Sequence, residues 1–475
     1  MNRRVCGLRW HGPTSVVGAS RTTAFGGGAR YGYAFAPPRP AQCAGALWGR
    51  GTRGPVRKHG WRPAPLSDHP SRRERLMGIL KRRMPASLWR ASLLGLLLGL
   101  PSGMSGQEVA VSGQLRPRLE LHTAPARPSN ELTTMRLRIR VVAEPESTVR
   151  IVAELQDVRT WGEERSTLTD YSADNLDLHQ GFFDVTLSEQ WSARIGRQEI
   201  SFGGERLMGA VDWTQQGRSF DAVRTTLQIP DLTVDVFRAQ LTEEAVDAGE
   251  DSALLGIYAV ASKRSHNLDV FAFLERSPAA DLRQWTSGLR AHGLLGSLAY
   301  RFEGAAQLGR RSGARVRGWM LGVRLGRGLP KPLGDVSLWY DHLSGDAAPD
   351  DGTVRTFETL FATNHKFYGF ADLFLNIPRD TGGRGLRDLA LKWKLAGPAG
   401  TSIGVDLHAF RLAEAKGLGT ARLAEEVDVT LGHGVNSSLR LTAGFSHVWE
   451  RLGLGEIGRN AGRHTFTYLM TSVVF

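Results

Sequence analysis

The sequence of 475 residues predicts an all-β protein, a transmembrane antiparallel up-and-down β-barrel of about 18 strands preceded by a signal peptide. Three observations predict this fold. Short segments from residue 109 to the end alternate apolar and polar side chains, which is the two-residue period of a strand with one apolar face. The connections alternate between short turns and long loops, as in membrane barrels. Upstream, a basic head precedes a short apolar run, as in exported proteins.

The first segment, residues 1–76, differs from the rest in composition. It holds 14 Lys and Arg residues against 2 acidic ones, and it contains both cysteines, Cys6 and Cys43. It has no sustained apolar period, so it cannot bury enough surface to offset the entropy of ordering. We expect a disordered extension that is not part of the natural product, with translation starting at Met77 or Met84.

Residues 77–106 have the three parts of a signal peptide. The Lys-Arg-Arg triplet at 81–83 is the basic head, 91–100 is the apolar run, and Gly103 and Ser105 place small side chains before a cut after Ser105. An apolar run of this length is too short for a helix that crosses a bilayer. The alternative, a buried core helix, does not account for the basic flank, so we predict export.

The remaining residues, 107–475, carry 42 Lys and Arg residues against 45 acidic ones, a net charge of −3. A nearly neutral body is a poor general surface for phosphate groups, so we predict no nucleic-acid partner. This part of the sequence has no cysteine, which excludes a disulfide, a thiolate metal site and a cysteine nucleophile there. We predict no metal and no cofactor.

Eighteen segments with the strand period fill the body of the chain. An even number brings both ends of the chain to the rim with the short turns. A soluble sandwich has the same period with its apolar face inward, but the short turns and long loops favour a membrane barrel. The chain ends in Phe475, which resembles the terminal assembly signal of outer-membrane barrels. The predicted strands are 109–123, 133–143, 147–159, 175–187, 191–202, 220–228, 232–240, 253–261, 267–274, 285–291, 296–304, 315–325, 334–343, 386–394, 401–413, 420–431, 435–449 and 465–475.

The connection 344–385 is the longest, and a structureless loop of that length is unusual in a compact domain. Its aromatic run, from Phe357 to Phe374, indicates that it packs on other residues. We predict that it folds inward and narrows the lumen, the alternative being an exposed mobile loop. His365 and Lys366 lie in this run, where contact with a passing sugar or ordinary packing would each explain them.

Arginines recur along the stretch 194–224, where two alternating runs flank a polar span that contains glycines. This pattern predicts a strand, a long ordered loop that includes Arg206, and a returning strand. The alternative is an ordinary hairpin with solvated arginines. We expect Asp212 and Trp213 to brace the loop against the wall. Arg218 and Asp221 complete the predicted constriction, as an internal ion pair.

Arginines also dominate the polar faces that we predict to line the lumen. A guanidinium group stays charged and binds carboxylates with two parallel hydrogen bonds, so a ring of them favours acidic solutes over cations. The alternative is a structural ladder in which Glu154 and Asp184 pair with the arginines to hold the inner wall. The predicted lining residues are Arg136, Arg138, Arg140, Arg150, Arg194, Arg197 and Arg224.

Catalysis has little support in the sequence. No GxSxG elbow, HExxH motif or glycine-rich phosphate loop lies on a suitable scaffold. Asp341 and His342 are the nearest candidates for a catalytic pair, but neighbouring residues of a strand point to opposite faces. We predict that the protein is not an enzyme.

The chain resembles the alginate-export family of outer-membrane porins. The resemblance covers 109–475 and is most specific at GRQEISFGGERLMGAVDWTQQGRSFDAVR (196–224) and at TLFATNHKFYGFADLFLNIPRDTGGRGLRDLALK (359–392). It implies an eighteen-stranded barrel, a lumen lined by arginines and outward passage of an anionic polysaccharide.

Together, these observations predict an outer-membrane porin whose arginine-lined aqueous channel passes anionic solutes passively. Export of an acidic polysaccharide such as alginate is the most specific form of this prediction. The alternatives are a barrel hydrolase and a surface adhesin, and conductance in planar bilayers would separate the channel from both. The expected partners are outer-membrane lipid, anionic oligo- or polysaccharides or other small anions, and periplasmic export components. We expect a monomer.

Overall fold

A computed structural model describes residues 108–124, 127–163, 176–243, 251–460 and 464–475. The predicted extension at 1–76 and the predicted signal peptide at 77–106 lie outside the described residues, and both stay predictions. Parts of the connections 160–174 and 241–252 also lie outside them.

The described chain is almost entirely β-structure. One short α-helix, α1 (Leu452–Glu456), and 3-10 turns at Pro278–Ala280, Asn364–Lys366 and Arg379–Thr381 are its helical elements. The described part of the chain contains no helix with the length and apolar character needed to cross a membrane. The strands are β1 (Glu108–Ala124), β2 (Arg127–Glu146), β3 (Val149–Thr160), β4 (Leu176–Thr186), β5 (Trp191–Gln198), β6 (Phe220–Ile229), β7 (Leu232–Thr242), β8 (Ser252–Lys263), β9 (His266–Ser277), β10 (Leu282–Leu295), β11 (Leu298–Arg311), β12 (Ala314–Gly328), β13 (Asp335–Leu343), β14 (Thr353–Val354), β15 (Leu386–Ala396), β16 (Thr401–Leu412), β17 (Arg422–Gly434), β18 (Leu439–Glu450) and β19 (Thr465–Val474).

All strands except β14 form one closed antiparallel barrel. Each wall strand pairs with the next one along the chain, and β1 closes the sheet because Leu119 lies opposite Thr133 of β2 and Leu469 of β19. The two residues of β14 pair in parallel with β12, beside the wall. The predicted all-β barrel of eighteen antiparallel strands is confirmed.

The two-residue period of the sequence separates an apolar outer face from a polar inner face. On β9, Val270 is 51% exposed on the outside, whereas its neighbour Asp269 is 1% exposed inside. On β2, Ile139 faces outward and Arg136 faces the lumen. Apolar side chains cover the outer face, which is the inverse of a soluble sandwich and suits contact with lipid.

Two details of the strand prediction are wrong. The strand predicted at 191–202 ends at Gln198, because the next residues leave the wall and carry Ile200 and Phe202 into the lumen, where both are buried. Short and long connections also do not alternate strictly, since only residues 312–313 join β11 to β12 on the long-loop rim. Ser312 and Gly313 have φ of 47° and 80°, which a tight two-residue hairpin turn requires at both positions.

The apolar core lies inside the barrel. Loop A (residues 199–219, between β5 and β6) and loop B (residues 344–385, between β13 and β15) pack aromatic side chains onto the inner wall. The ring of Phe202 in loop A stacks on Tyr258 of β8, with ring centroids 4.6 Å apart. Phe374 of loop B packs on Phe410 of β16 at 4.8 Å. The prediction that loop B folds inward is therefore confirmed.

Candidate functional site

Loops A and B meet inside the barrel and form one composite constriction. Their backbones are joined by three hydrogen bonds, from Phe361 N to Leu207 O, from Gly209 N to Phe361 O and from Thr363 N to Glu205 O, each 2.9 Å long. Such backbone pairing fixes the two loops as a unit, because every bond satisfies a polar group that would otherwise be buried without a partner. Loops A and B therefore form one structural unit inside the barrel.

Trp213 of loop A lies at the junction of the two loops. Its ring stacks on His365 of loop B, with centroids 4.1 Å apart and planes 9° from parallel. Arg118 of β1 lies over the same ring at 4.3 Å and donates a hydrogen bond to Trp213 O at 2.7 Å. His365 Nδ1 is 2.6 Å from Asp372 Oδ1. His365 thus has packing and hydrogen-bond partners in the structure, and its neighbour Lys366 lies 3.5 Å from Glu205 Oε2.

Arg206 anchors loop A to the opposite wall. Its Nε donates to Glu303 Oε2 at 3.1 Å, and its Nη1 lies 2.5 Å from Asp341 Oδ2 and 3.1 Å from Tyr368 OH. The guanidinium is fully buried and lies 4.1 Å from the centre of the Phe367 ring. Burial lowers the pKa of Arg206 and the surrounding acidic groups raise it, with a net rise above its ordinary value. The guanidinium of Arg206 therefore keeps its positive charge.

A second anchor holds loop A to β1 and β2. Asp212 lies between Arg136 (Nη1 to Oδ1, 2.8 Å), Arg116 (Nη1 to Oδ2, 3.3 Å) and Arg138 (Nη1 to Oδ1, 3.6 Å). Arg116 Nε also donates to Gln215 Oε1 at 3.1 Å.

Asp212 and Trp213 do contact the wall in this way. Arg116 and Arg118 were missed, although the alternation of the first predicted strand puts both on its polar face.

Other predicted lining arginines form a ladder with acids on the inner wall. Arg140 pairs with Glu154 at 3.3 Å, and Asp184 accepts from both Arg194 (2.7 Å) and Arg150 (3.4 Å). Further along, Arg224 pairs with Asp235 of β7 at 2.8 Å. Most of these cations therefore have a carboxylate within ion-pair distance, which is the arrangement of the structural ladder.

The structure corrects the placement of Arg197 and Asp221. The register sets Arg197 opposite Gly181 and Asp221, in the row that continues outward-facing Ile195 and Val223. Both charged side chains therefore lie on the outer face, where they pair with each other at 3.0 Å. The prediction failed because Arg197 lies three residues from Arg194 in a continuous ladder, and side chains an odd number of residues apart on a strand point to opposite faces.

The expected ion pair between Arg218 and Asp221 is also wrong. Arg218 Nη1 donates to the backbone oxygens of Gly209, at 3.3 Å, and of Phe361. Arg218 thus joins loop A to loop B, and Asp221 lies on the other side of the wall.

A cation cluster that sequence reasoning missed lies on β11, β12 and β15. Arg301 and Arg324 are direct cross-strand neighbours, and Arg324 lies opposite Trp339 of β13. The two guanidinium carbons are 4.6 and 4.9 Å from the centre of the Trp339 ring, and Lys392 Nζ is 4.9 Å from it. Lys392 pairs with Asp406 at 2.7 Å.

Arg301 and Arg324 differ from the ladder because no carboxylate of the described residues pairs with them. Arg301 is only 7% exposed, and its Nε and Nη2, like Nε of Arg324, are buried without a hydrogen-bond partner among the described residues. Burial of a guanidinium nitrogen without a hydrogen-bond partner is costly. The alternation of AYRFEGAA (299–306) is the signal that could have found Arg301.

Asp341 and His342 are separated by the wall. Asp341 contacts Arg206 inside the barrel, whereas the ring of His342 stacks on Trp319 of the outer face at 4.5 Å. Opposite faces were expected for adjacent residues of a strand, and the geometry provides no catalytic pair here.

The barrel resembles solved porin structures. OccAB3 of Acinetobacter baumannii is 12% identical, with a TM-score of 0.55 over 78% of this chain and 99% of that one. OpdO of Pseudomonas aeruginosa is 16% identical, with a TM-score of 0.55 over 78% of this chain and 97% of that one. A BenF-like porin from Pseudomonas fluorescens Pf-5 is 12% identical, with a TM-score of 0.55 over 78% of this chain and 98% of that one. These low identities show the fold alone.

Sequence comparison identifies the family. A search of curated proteins finds no significant match to this chain. The family profile for alginate export matches residues 107–375, which is more than half of the sequence and includes both loop A and most of loop B. The chain therefore belongs to the alginate export family.

Proposed function

We propose that the protein is an outer-membrane channel that passes anionic solutes, with acidic saccharides as the class that fits its lumen best. The apolar outer face, the closed barrel and membership of the alginate export family support the location. Barrels of this strand number leave an aqueous channel, and the inserted loops narrow it. A channel needs no catalytic group, which fits the separation of Asp341 from His342 by the wall.

The observation that carries the proposed selectivity is the unpaired state of Arg301 and Arg324. An arginine paired with a carboxylate is largely neutralised, whereas an unpaired one keeps its full attraction for a solute anion. These two side chains lie side by side on adjacent strands, so both can contact one carboxylate. The paired arginines of β1–β6 contribute mainly to the form of the lumen.

Aromatic groups support a saccharide as the solute. Trp339 lies among the cations, and Trp213 lies at the junction of the loops with an intermediate exposure. A flat indole ring provides an apolar surface next to a polar tip, which suits a sugar that carries a carboxylate. Beside loop A, a cavity of about 500 Å³ is lined by both polar and apolar side chains, among them Arg118, Glu120 and Trp213. Export of an acidic polysaccharide such as alginate, with periplasmic export components, is the most specific version of the proposal.

The test is the reversal potential of single channels in a KCl gradient. We expect an anion preference for the wild type and a shift toward cations for the Arg301→Gln/Arg324→Gln variant. A soluble oligouronate should reduce the conductance of the wild type, and the variant should need about ten-fold more of it, because each charged hydrogen bond contributes about 1.5–3 kcal/mol. The shift should shrink in 1 M salt, where the Debye length is about 3 Å.

A matched control is Arg327→Gln. Arg327 is an exposed arginine of the outer face of β12, three residues from Arg324, so the substitution removes one positive charge without changing the lumen. Its reversal potential should equal that of the wild type. An unchanged reversal potential in the Arg301→Gln/Arg324→Gln variant, with normal barrel assembly, would contradict the proposed selectivity.

A further inference from the structure

Four arginines form an unbroken row on the outer face of the barrel. Arg276 of β9 lies directly opposite Arg283 of β10, Arg283 opposite Arg310 of β11, and Arg310 opposite Arg315 of β12. All four are exposed, and residues next to them in sequence, such as Gln284 and Val316, are buried on the lumen side. We call these four residues the outer arginine row.

The outer arginine row is electrostatically unfavourable by itself. Cβ atoms of directly opposed residues are about 4.5–5.5 Å apart, and like charges at that distance destabilise a sheet. Within the described parts of the chain, none of the four guanidinium groups forms an ion pair or a side-chain hydrogen bond. On β5 and β6 the same cross-strand position holds an arginine and an acid, Arg197 and Asp221. The row therefore needs negative charge from outside the protein.

The position of the row indicates what supplies that charge. Arg276 and Arg283 flank the turn between β9 and β10, and Arg310 and Arg315 flank the turn between β11 and β12, so the row lies at the long-loop rim. The next outward positions toward the middle of the barrel include Trp285 and Leu308, which are 47% and 59% exposed. On β12 the corresponding outward position holds the exposed Arg317, and Trp319, 47% exposed, is the next outward residue along the strand. Exposed tryptophans beside a charged row mark the interface between the acyl chains and headgroups of a membrane.

The pattern occurs a second time at the same rim. Arg387 of β15 lies opposite Arg411 of β16, which lies opposite Arg422 of β17, and all three are exposed on the outer face. The stack of His342 on Trp319 lies between the two rows. At the short-turn rim, in contrast, Arg327 has Leu298 and Val336 as its cross-strand neighbours.

We propose that the outer arginine row binds the headgroup of a glycolipid that carries more than one phosphate. The inference rests on the outer-membrane location under the proposed function, with the long loops on the outside. Guanidinium groups bind phosphate through paired hydrogen bonds. Four adjacent strands spread the row over about 14 Å, at about 4.8 Å per strand. One phosphodiester headgroup would neutralise only part of that length, whereas a bisphosphorylated disaccharide can reach along it while its acyl chains pack on Trp285 and Leu308.

The test measures lipid binding to the purified full chain in a neutral detergent. The probes are a bisphosphorylated lipid A-type glycolipid, its dephosphorylated form, a single-phosphate anionic phospholipid and inorganic phosphate. We expect the Arg283→Gln/Arg310→Gln variant to bind the bisphosphorylated glycolipid at least about ten-fold more weakly than the wild type, since it loses two charge-assisted contacts. Arg327→Gln should bind like the wild type.

Equal binding of the glycolipid by the double variant and the wild type would overturn the proposal. Equal wild-type affinity for the dephosphorylated form, for the phospholipid or for inorganic phosphate would overturn it as well. A second readout guards against misfolding: without glycolipid, the double variant should melt at the same temperature as the wild type or higher, because repulsion is removed. Glycolipid should raise the melting temperature of the wild type and not that of the variant.

The proposed glycolipid site on the outer face and the proposed anion selectivity of the lumen can be contradicted independently of each other. The Arg283→Gln/Arg310→Gln variant should keep the wild-type reversal potential, whereas the Arg301→Gln/Arg324→Gln variant should keep the wild-type affinity for the glycolipid. Loss of glycolipid binding in the luminal variant would mean that the site depends on the general folding of the wall, and would overturn the outer arginine row as its location.

Discussion

Two groups of arginines face the same lumen and differ in their partners. Arg116, Arg136 and Arg138, on β1 and β2, surround the carboxylate of Asp212 at 2.8 to 3.6 Å. Arg301 and Arg324, on β11 and β12, have no carboxylate partner among the described residues and lie around the ring of Trp339. The first group holds loop A to the wall, and the charge of the second group is not paired with a carboxylate among the described residues.

This difference shows that counting arginines on the polar face does not locate selectivity. The energy of a cation in a narrow channel depends on whether a carboxylate neutralises it, and that partner often comes from a distant part of the chain. Asp212 comes from a loop nearly one hundred residues beyond Arg116. The first group is a set of anchors, and the second is the more direct candidate for solute binding.

The largest expected effect comes from removing the deepest anchor, Arg206. Replacing it by Met leaves the carboxylates of Glu303 and Asp341 buried without their cation. Loss of one partner of a buried pair costs about 3–5 kcal/mol, so loop A should leave the opposite wall. On a gel, the folded band should convert to the unfolded band at a lower temperature than in the wild type. In planar bilayers, the variant should show a larger and noisier conductance.

Lys366→Gln provides the control for that experiment. The pair between Lys366 and Glu205 also joins the two loops, but the Lys366 side chain is 51% exposed. An exposed pair contributes about 0–1 kcal/mol, so stability and conductance should change little. If Arg206→Met were as mild as this control, the buried anchor would not be what holds loop A.

The fold was accessible from the sequence because it depends on local alternation. Apolar and polar residues alternate along each strand whatever its partner, and eighteen such segments sufficed to predict the closed barrel. The inward course of loop B followed from its aromatic run. Its exact contacts, such as Trp213 on His365, depend on two loops meeting across the lumen and leave no local signal.

The candidate site was harder to predict for the same physical reason. Arg301 and Arg324 lie on neighbouring strands with the same period as many other arginines, and what distinguishes them from the ladder is that no carboxylate of the described residues pairs with them. Arg197 was assigned to the wrong face because it lies three residues from Arg194, and side chains an odd number of residues apart on a strand point to opposite faces. Register and pairing come from tertiary structure.

Asp212→Asn should shift the reversal potential by less than the Arg301→Gln/Arg324→Gln variant does, and in the opposite direction. The substitution keeps the size of the side chain and one hydrogen-bond acceptor but removes the negative charge between the three anchoring arginines. Arg116 and Arg136 would then resemble the unpaired group, whereas Arg138 would keep Glu199 at 3.5 Å. The reversal potential in a KCl gradient should move further toward anion preference, with a modest loss of stability.

Gln215→Glu gives the complementary measurement. Gln215 contacts Arg116 beside Asp212, so an added carboxylate there should neutralise the same cations further. Its reversal potential should move toward cations. If the reversal potentials of Asp212→Asn and Gln215→Glu moved in the same direction, displacement of loop A, and not charge, would explain both shifts.

The smallest expected effect belongs to Arg197→Gln, although Arg197 was among the arginines predicted to line the lumen. Its side chain lies on the outer face, 36% exposed, and pairs with Asp221, which is 63% exposed. An exposed pair of this kind contributes about 0–1 kcal/mol, and the wall separates it from the path of the solute. Conductance, reversal potential and block by an oligouronate should therefore all match the wild type, while Arg301→Gln/Arg324→Gln, measured in the same bilayers, shifts. A reversal potential that moved with Arg197→Gln would place this side chain in the lumen, and would show that the register at the end of β5 differs from the one that separates the outer pair from the luminal arginines.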